Sequence, residues 1–245
     1  MTRIESLERV TSDVMVVRLH PEARLDFKAG QFANLRFGRY PPRSYSMANH
    51  PDEHRLEFHV RLLPSGLISR HVAKKAKIGD VVEVEGPFGE AYLQEQAQAP
   101  LIALAGGTGL APVRSIIEKA LSIGWNDPIQ VWAGFRSKEH LYGDVLFDAW
   151  RSQRVDVRVC LDETPSPDGA GPLYQVFSDC ADICPDTRVY IAGSPAFVEA
   201  IKCAAITRGA RPHNVFADPF VIANSNASRS SGIRALIAAC VGKWS

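Results

Sequence analysis

Residues 43–46 read Arg43-Ser44-Tyr45-Ser46, which sets a guanidinium, two hydroxyls and an aromatic ring side by side. As a strand, this stretch puts Arg43 and Tyr45 on one face and Ser44 and Ser46 on the other, because side chains alternate with a period of two. The guanidinium can hold a phosphate through paired N–H donors. The ring can stack on a flat heterocycle. Ser46 can bond to a ring nitrogen or oxygen where the strand ends or bends. A solvent-facing Arg and Tyr on an ordinary strand is the plainer alternative, and the motif alone does not exclude it.

A second candidate is "ALAGGTGLAP" at residues 103–112, where an apolar strand gives way to a helical pattern. Gly106, Gly107 and Gly109 let the backbone turn tightly and approach a ligand with no Cβ in the way. The helix that follows offers N–H groups and a positive dipole end to a pyrophosphate, and Pro112 suits an early helix position. The spacing is not GxGxxG, so the common dinucleotide fingerprint is absent. "VYIAGSP" at residues 189–195 brings Gly193, Ser194 and Pro195 to another strand end that leads into a helix. Ligands of open α/β sheets bind at that carboxyl edge. A third turn, residues 66–69 with Gly66 and Ser69, opens a helix and is another phosphate cradle. With two phosphate-capable elements around a stacking Tyr45, a flavin site becomes coherent.

The elements that must position these groups fall into two halves. "DVMVVRLH", "GQFANLRF", "RSYSMAN", "RLEFHVRLL" and "DVVEVEGPFG" are β-rich segments separated by turn residues. They predict a small antiparallel barrel, interrupted by one helix, "GLISRHVAKKA", with Leu67, His71 and Val72 on one face. After the polar stretch "QEQAQA" the rhythm changes. Continuous apolar strands ("PLIALAGG", "IQVWAGF", "VDVRVCLD", "RVYIAGS", "NVFADPF") alternate with helical segments. The first helix carries Val113, Ile116, Ile117, Ala120 and Leu121 at helical spacing; "EHLYGDVLFDAWRS" reads as the second. This pattern predicts a parallel sheet covered on both faces. The predicted division is residues 1–97, 98–220, and a Ser/Asn-rich then apolar tail at 221–245.

Composition narrows the classes. Hydrophobic residues make up 46% and charged residues 22% of 245, with a net charge of +1, so nothing suggests a nucleic-acid or anionic-membrane partner. No apolar run approaches the roughly 18 residues of a membrane span, and the N-terminus lacks a signal-peptide pattern, which points to the cytoplasm. The five cysteines include no CxxC pair and no C-x4-C-x2-C run, so neither a metal site nor an iron–sulfur module is expected.

Taken in order, Arg43-x-Tyr45-Ser46, Pro64-x-Gly66-x-x-Ser69, Gly86-Pro87-Phe88-Gly89, Gly106-Gly107-Thr108-Gly109-x-Ala111-Pro112 and Gly193-x-Pro195 resemble the ferredoxin–NADP reductase superfamily. The resemblance runs from about residue 5 to 220 and is strongest to reductases that feed electrons to bacterial aromatic-ring oxygenases. It implies a flavin-binding barrel followed by a nicotinamide-nucleotide domain. Arg43 would then contact the flavin phosphates, Tyr45 stack on the isoalloxazine and Ser46 approach N5, with Ser44 also among the cofactor-binding residues. His59 and Arg61 would lie along the ribityl–phosphate part, with residues 66–69 capping the pyrophosphate. Gly107, Thr108, Gly109, Pro112, Gly193, Ser194 and Pro195 would hold the dinucleotide, and Phe220 would stand near the flavin edge.

Three departures from the family pattern matter. Ala192 stands where many members carry a cysteine, no iron–sulfur module is in sight, and the chain runs on past Phe220. The implied activity is passage of electrons from NADH through FAD to a separate ferredoxin or oxygenase component. A flavin reductase that releases reduced flavin and a non-catalytic regulatory module are the alternatives. The carboxylates of Asp162 and Glu163 favour NADH over NADPH, whereas Arg136 argues the other way. FMN in place of FAD, and the oligomeric state, stay open. Lys74, Lys75 and Lys77 can dock an acidic ferredoxin or form a solvated helix face.

Overall fold

A computed structural model of the protein describes residues 1–96, 98–162, 173–180 and 183–221. Glu163 and the tail beyond Val221 lie outside the described residues, so the expectations placed on them go no further. The first half is a six-stranded antiparallel sheet, with β1 (Thr2–Arg9), β2 (Val14–Pro21), β3 (Phe32–Phe37), β4 (Arg43–Ser46), β5 (Leu56–Arg61) and β6 (Val81–Phe88) in the order β4-β3-β6-β1-β2-β5. The sheet curls until its two ends meet. An isolated bridge pairs Met47, just past β4, with Phe58 on β5, and Ala48 N–H donates to the Glu57 carbonyl at 2.8 Å. This is the predicted barrel.

Strand alternation decides what the barrel presents. Leu56, Phe58 and Val60 of β5 point into a core shared with Val17, Leu19, Leu35 and Phe37. Glu57, His59 and Arg61 therefore face the opposite way. β1 was not expected from the sequence, because Ile4 is its one fully buried residue and "TRIESLER" has no apolar alternation. Its pairing with β2 and β6 makes it a strand. Helix α1 (Leu67–Lys74) buries Ile68, Ser69 and Val72. Leu67, grouped with Val72 on one face from the sequence, is exposed whereas Val72 is buried.

The second half is a five-stranded parallel sheet of β7 (Leu101–Gly106), β8 (Ile129–Phe135), β9 (Asp156–Leu161), β10 (Arg188–Gly193) and β11 (Val215–Pro219), in the order β11-β10-β7-β8-β9. Alternate residues feed two cores. Ala103, Ala105, Val131 and Ala133 pack with Val113, Ile116 and Ile117 of α2 (Leu110–Ser122) and with Phe147 and Trp150 of α3 (Asp144–Ser152). Ile102, Leu104 and Trp132 pack on the other side with Phe177 of α4 (Leu173–Cys180) and Ile201 of α5 (Pro195–Thr207). That two-sided covering is why the strands read as continuous apolar runs. The second helix starts later than expected. Gly143 adopts a left-handed φ of 95°, so α3 begins at Asp144 and the preceding residues form a separate wall.

The chain winds outward from β7 to β9, then returns to β10 on the other side of β7. The strand order thus reverses between β7 and β10, and their carboxyl ends form the crevice where such sheets take ligands. Both glycine-rich turns follow these two strands.

Candidate functional site

The crevice opens into a cavity of about 550 Å³ between the two halves. The parallel sheet contributes Gly106, Gly107, Thr108, Phe135, Arg136 and Ser194; the barrel contributes Asp13, Val14 and Arg61. Of the expected site residues, Arg61, Gly107, Thr108, Arg136 and Ser194 meet here. Gly107 has φ of +56°, a conformation natural to glycine, and a Cβ built there would meet nothing within 4 Å. Such a bare turn ahead of α2 suits close approach by a phosphate. Ser194 caps α5, its Oγ accepting from the Phe197 N–H at 3.3 Å, with Pro195 following at the first helical position. On the barrel side, Arg61 lies 3.6 Å from the Asp13 carboxylate.

Three of the expected residues are engaged in packing. Gly109 does not reach the cavity: a Cβ there would sit 2.0 Å from the Ala192 carbonyl oxygen, so this glycine lets α2 approach β10. Pro112 is buried in α2, away from the cavity. Gly193 makes room for the Phe197 ring, since an added Cβ would stand 2.8 Å from its edge, and its carbonyl accepts the Phe220 N–H at 2.7 Å. Phe197, which itself lines the cavity, was not singled out from the sequence.

His59 differs most from expectation. Its ring is buried with a partner at each nitrogen: Tyr142 Oη at 3.0 Å from Nδ1 and Glu57 Oε1 at 3.4 Å from Nε2. Strand alternation turns the imidazole towards the second half, so ligand contact at either nitrogen would displace a partner. Burial lowers its pKa, and the Glu57 carboxylate only partly offsets this. Glu57 is itself buried and paired with Arg18 of β2 at 2.7 Å and with Arg114 of α2. Burial pushes its carboxyl up, but the hydrogen bond from His59 and the charges of Arg114 and Arg18 outweigh it and hold the group at about 2.

The 43–46 stretch forms a second surface on the barrel. Ser44 Oγ donates to Asn34 Oδ1 at 2.8 Å, and Arg43 is half-buried. Tyr45 packs against the barrel core, and burial pushes its hydroxyl up to about 12. Ser46 is buried, and its Oγ donates to Asp218 Oδ2 of β11 at 3.0 Å, which ties β4 to the far edge of the parallel sheet. Burial raises the Asp218 carboxyl above its ordinary value, against the Ser46 hydrogen bond. Nearby, α1 begins at Gly66 with no side-chain cap on its first-turn N–H groups. Gly66 N–H donates to the Leu63 carbonyl at 3.0 Å and Ser69 Oγ to that of Arg61 at 3.2 Å.

A curled antiparallel barrel with an Arg-x-Tyr-Ser strand, set against a parallel sheet whose glycine turn opens a shared cavity, defines a two-domain nucleotide-dependent flavoprotein oxidoreductase. The chain belongs to the ferredoxin–NADP reductase superfamily: residues 1–92 match the oxidoreductase FAD-binding domain and residues 103–203 the oxidoreductase NAD-binding domain. It is 33% identical over 226 residues to the ferredoxin–NAD(P)+ reductase component of the naphthalene 1,2-dioxygenase system of Pseudomonas putida, a match over 89% of this chain and 67% of that one. The corresponding component of the Ralstonia naphthalene 1,2-dioxygenase/salicylate 5-hydroxylase systems is 32% identical, with the same two coverages. Among solved structures, an Amycolatopsis cytochrome P450 reductase superposes with a TM-score of 0.85 at 28% identity, over 91% of this chain and 70% of that one. Among the described residues no helix is long and apolar enough to cross a membrane.

Proposed function

We propose that the protein passes electrons from NADH through FAD to a separate ferredoxin or oxygenase component, in the cytoplasm. The observation that carries the reading is the shared cavity. The Gly107 turn of one half and Arg61 of the other face the same 550 Å³ space, and the Ser46–Asp218 hydrogen bond joins the halves. Residues 1–97 are assigned to FAD, residues 98–220 to the nicotinamide nucleotide, and 221–245 to a C-terminal tail. When bound, FAD supplies the chemistry, accepting a hydride from nicotinamide and releasing electrons singly.

The chain's own residues bind and orient. Arg43 offers paired N–H donors to the flavin phosphates, with Ser44 beside it, and the uncapped first turn of α1, flanked by Gly66 and Ser69, adds backbone donors. Tyr45 offers its ring to the isoalloxazine, and Phe220, fastened to Gly193, stands at the edge. Ser46 Oγ and the Asp218 carboxyl form a hydrogen-bonded pair able to hold a proton beside the flavin N5. Gly107, Thr108 and Ser194 hold the dinucleotide phosphates. Asp162 lines the cavity and favours NADH, because its carboxylate repels a 2′-phosphate and accepts ribose hydroxyls.

Anaerobic mixing with NADH and an added [2Fe–2S] ferredoxin tests the reading. Ferredoxin reduction without free flavin in the mixture is the expected result. Reduction that depends on added FAD, with flavin released from the protein, would mark a flavin reductase instead.

A further inference from the structure

The segment between β8 and α3 walls one side of the cavity through Arg136, His140 and Tyr142. Its internal bonds are short-range: His140 N–H donates to the Ser137 carbonyl at 3.0 Å, and the Ser137 hydroxyl meets His140 Nδ1 at 2.8 Å. Tyr142 ties it to the barrel. The ring stands edge-on to His59 and to Phe135, with centroids 5.4 and 5.7 Å apart, and its hydroxyl reaches His59 Nδ1 at 3.0 Å.

The chemistry of the neighbours sets the direction of that hydrogen bond. His59 Nε2 faces the Glu57 carboxylate, which only accepts, so Nε2 carries the ring proton. In the neutral ring Nδ1 is then the acceptor, and Tyr142 Oη donates to it. Glu57 is in turn held by Arg18 of the barrel and Arg114 of α2. A chain therefore runs from the partly exposed Arg18 through the buried Glu57 and His59 to the cavity wall, and every link has a partner.

We propose that His59 is a positioning residue for the nicotinamide nucleotide: oriented by Glu57, it holds Tyr142 and so sets the wall formed by residues 136–142. The inference rests on the reading of the cavity as the nucleotide site. It separates His59 from the flavin, to which the family resemblance had assigned it. A double-mutant cycle isolates the His59–Tyr142 link, since removing either side breaks the same hydrogen bond.

The experiment measures the Kd for NAD+ by calorimetric titration of the flavin-loaded protein, together with flavin content and unfolding temperature. Tyr142→Phe and His59→Gln, which keeps a donor towards Glu57 but not the Nδ1 acceptor, are each expected to weaken NAD+ binding roughly three- to tenfold. Flavin content stays unchanged. His59→Asn keeps an acceptor at the δ position but loses the Glu57 contact, so its Kd for NAD+ is expected to fall between those of the parent and His59→Gln. The double variant His59→Gln/Tyr142→Phe should be no weaker than either single one. Additive losses, an unchanged Kd in folded Tyr142→Phe, or flavin loss on His59→Gln would each overturn the proposal. A parent protein that retains flavin but shows no NAD+ binding would remove the cavity reading along with it.

Discussion

At the scale of single residues, the pair that matters most lies 172 positions apart in the chain. Ser46 on the barrel donates to Asp218 on the last strand, and burial raises that carboxyl. A hydroxyl aligned by a carboxyl keeps one orientation instead of three rotamers, so it is pre-aimed at whatever faces it. Ser46→Ala removes that hydroxyl and leaves Asp218 buried without its donor. The expected result is a fall of roughly 10- to 100-fold in the rate of NADH-dependent flavin reduction, with flavin binding retained, measured by rapid mixing. The Arg43–Ser46 motif was legible in the sequence because its chemistry is local. Asp218 was not, since no spacing rule connects residues on separate domains. Glu57 and Tyr142 escaped for the same reason, as did the destination of the His59 ring.

Elements show a different mixture. The parallel strands were readable from their continuous apolar runs, whereas β1 was hidden because a mostly polar strand with one fully buried residue carries no periodic signal. Gly143 did mark the start of α3, but the apolar spacing around it masked the break. The glycines of the turn after β7 look alike in sequence and do opposite work. Gly107 has a left-handed backbone and open space before it, whereas Gly109 has helical φ and a carbonyl where its Cβ would go. Gly109→Ala should therefore cost about 1–3 kcal/mol of folding stability, as overpacking does. Gly107→Ala should cost about 1 kcal/mol from backbone strain, and should also weaken NAD+ binding. Urea unfolding combined with nucleotide titration separates the two. Equal stability losses without any change in NAD+ affinity would mean that Gly107 is only a turn residue.

For the whole molecule, the question is what fixes one domain against the other. Glu57 sits between Arg18 on the barrel and Arg114 on α2, the helix that follows the glycine turn. Lys119 adds a weak outer contact to Asp52 at 3.4 Å. Glu57→Gln leaves two cations facing a neutral group and should destabilise the protein by about 3 kcal/mol or more, measured by urea unfolding at neutral pH. The pH dependence follows from the two depressed groups. His59 is neutral in both states above about pH 6.5; below that, the unfolded chain takes up a proton that the folded one resists, so stability declines. Glu57 contributes fully above the ordinary carboxylate range. That contribution is lost as pH falls from about 4.5 towards its folded value of about 2. Glu57→Gln should flatten the lower limb of this curve, and an unaltered limb would place the acid sensitivity elsewhere.

The proposed electron transfer requires that the barrel hold a flavin which the nucleotide in the neighbouring cavity reduces. The absorbance spectrum of the purified protein, recorded without oxygen before and after NADH and then NADPH, tests this most directly. Flavin bands that bleach with NADH, and more slowly with NADPH, are the predicted result. A protein that retains flavin yet leaves its spectrum unchanged with both nucleotides would contradict the account.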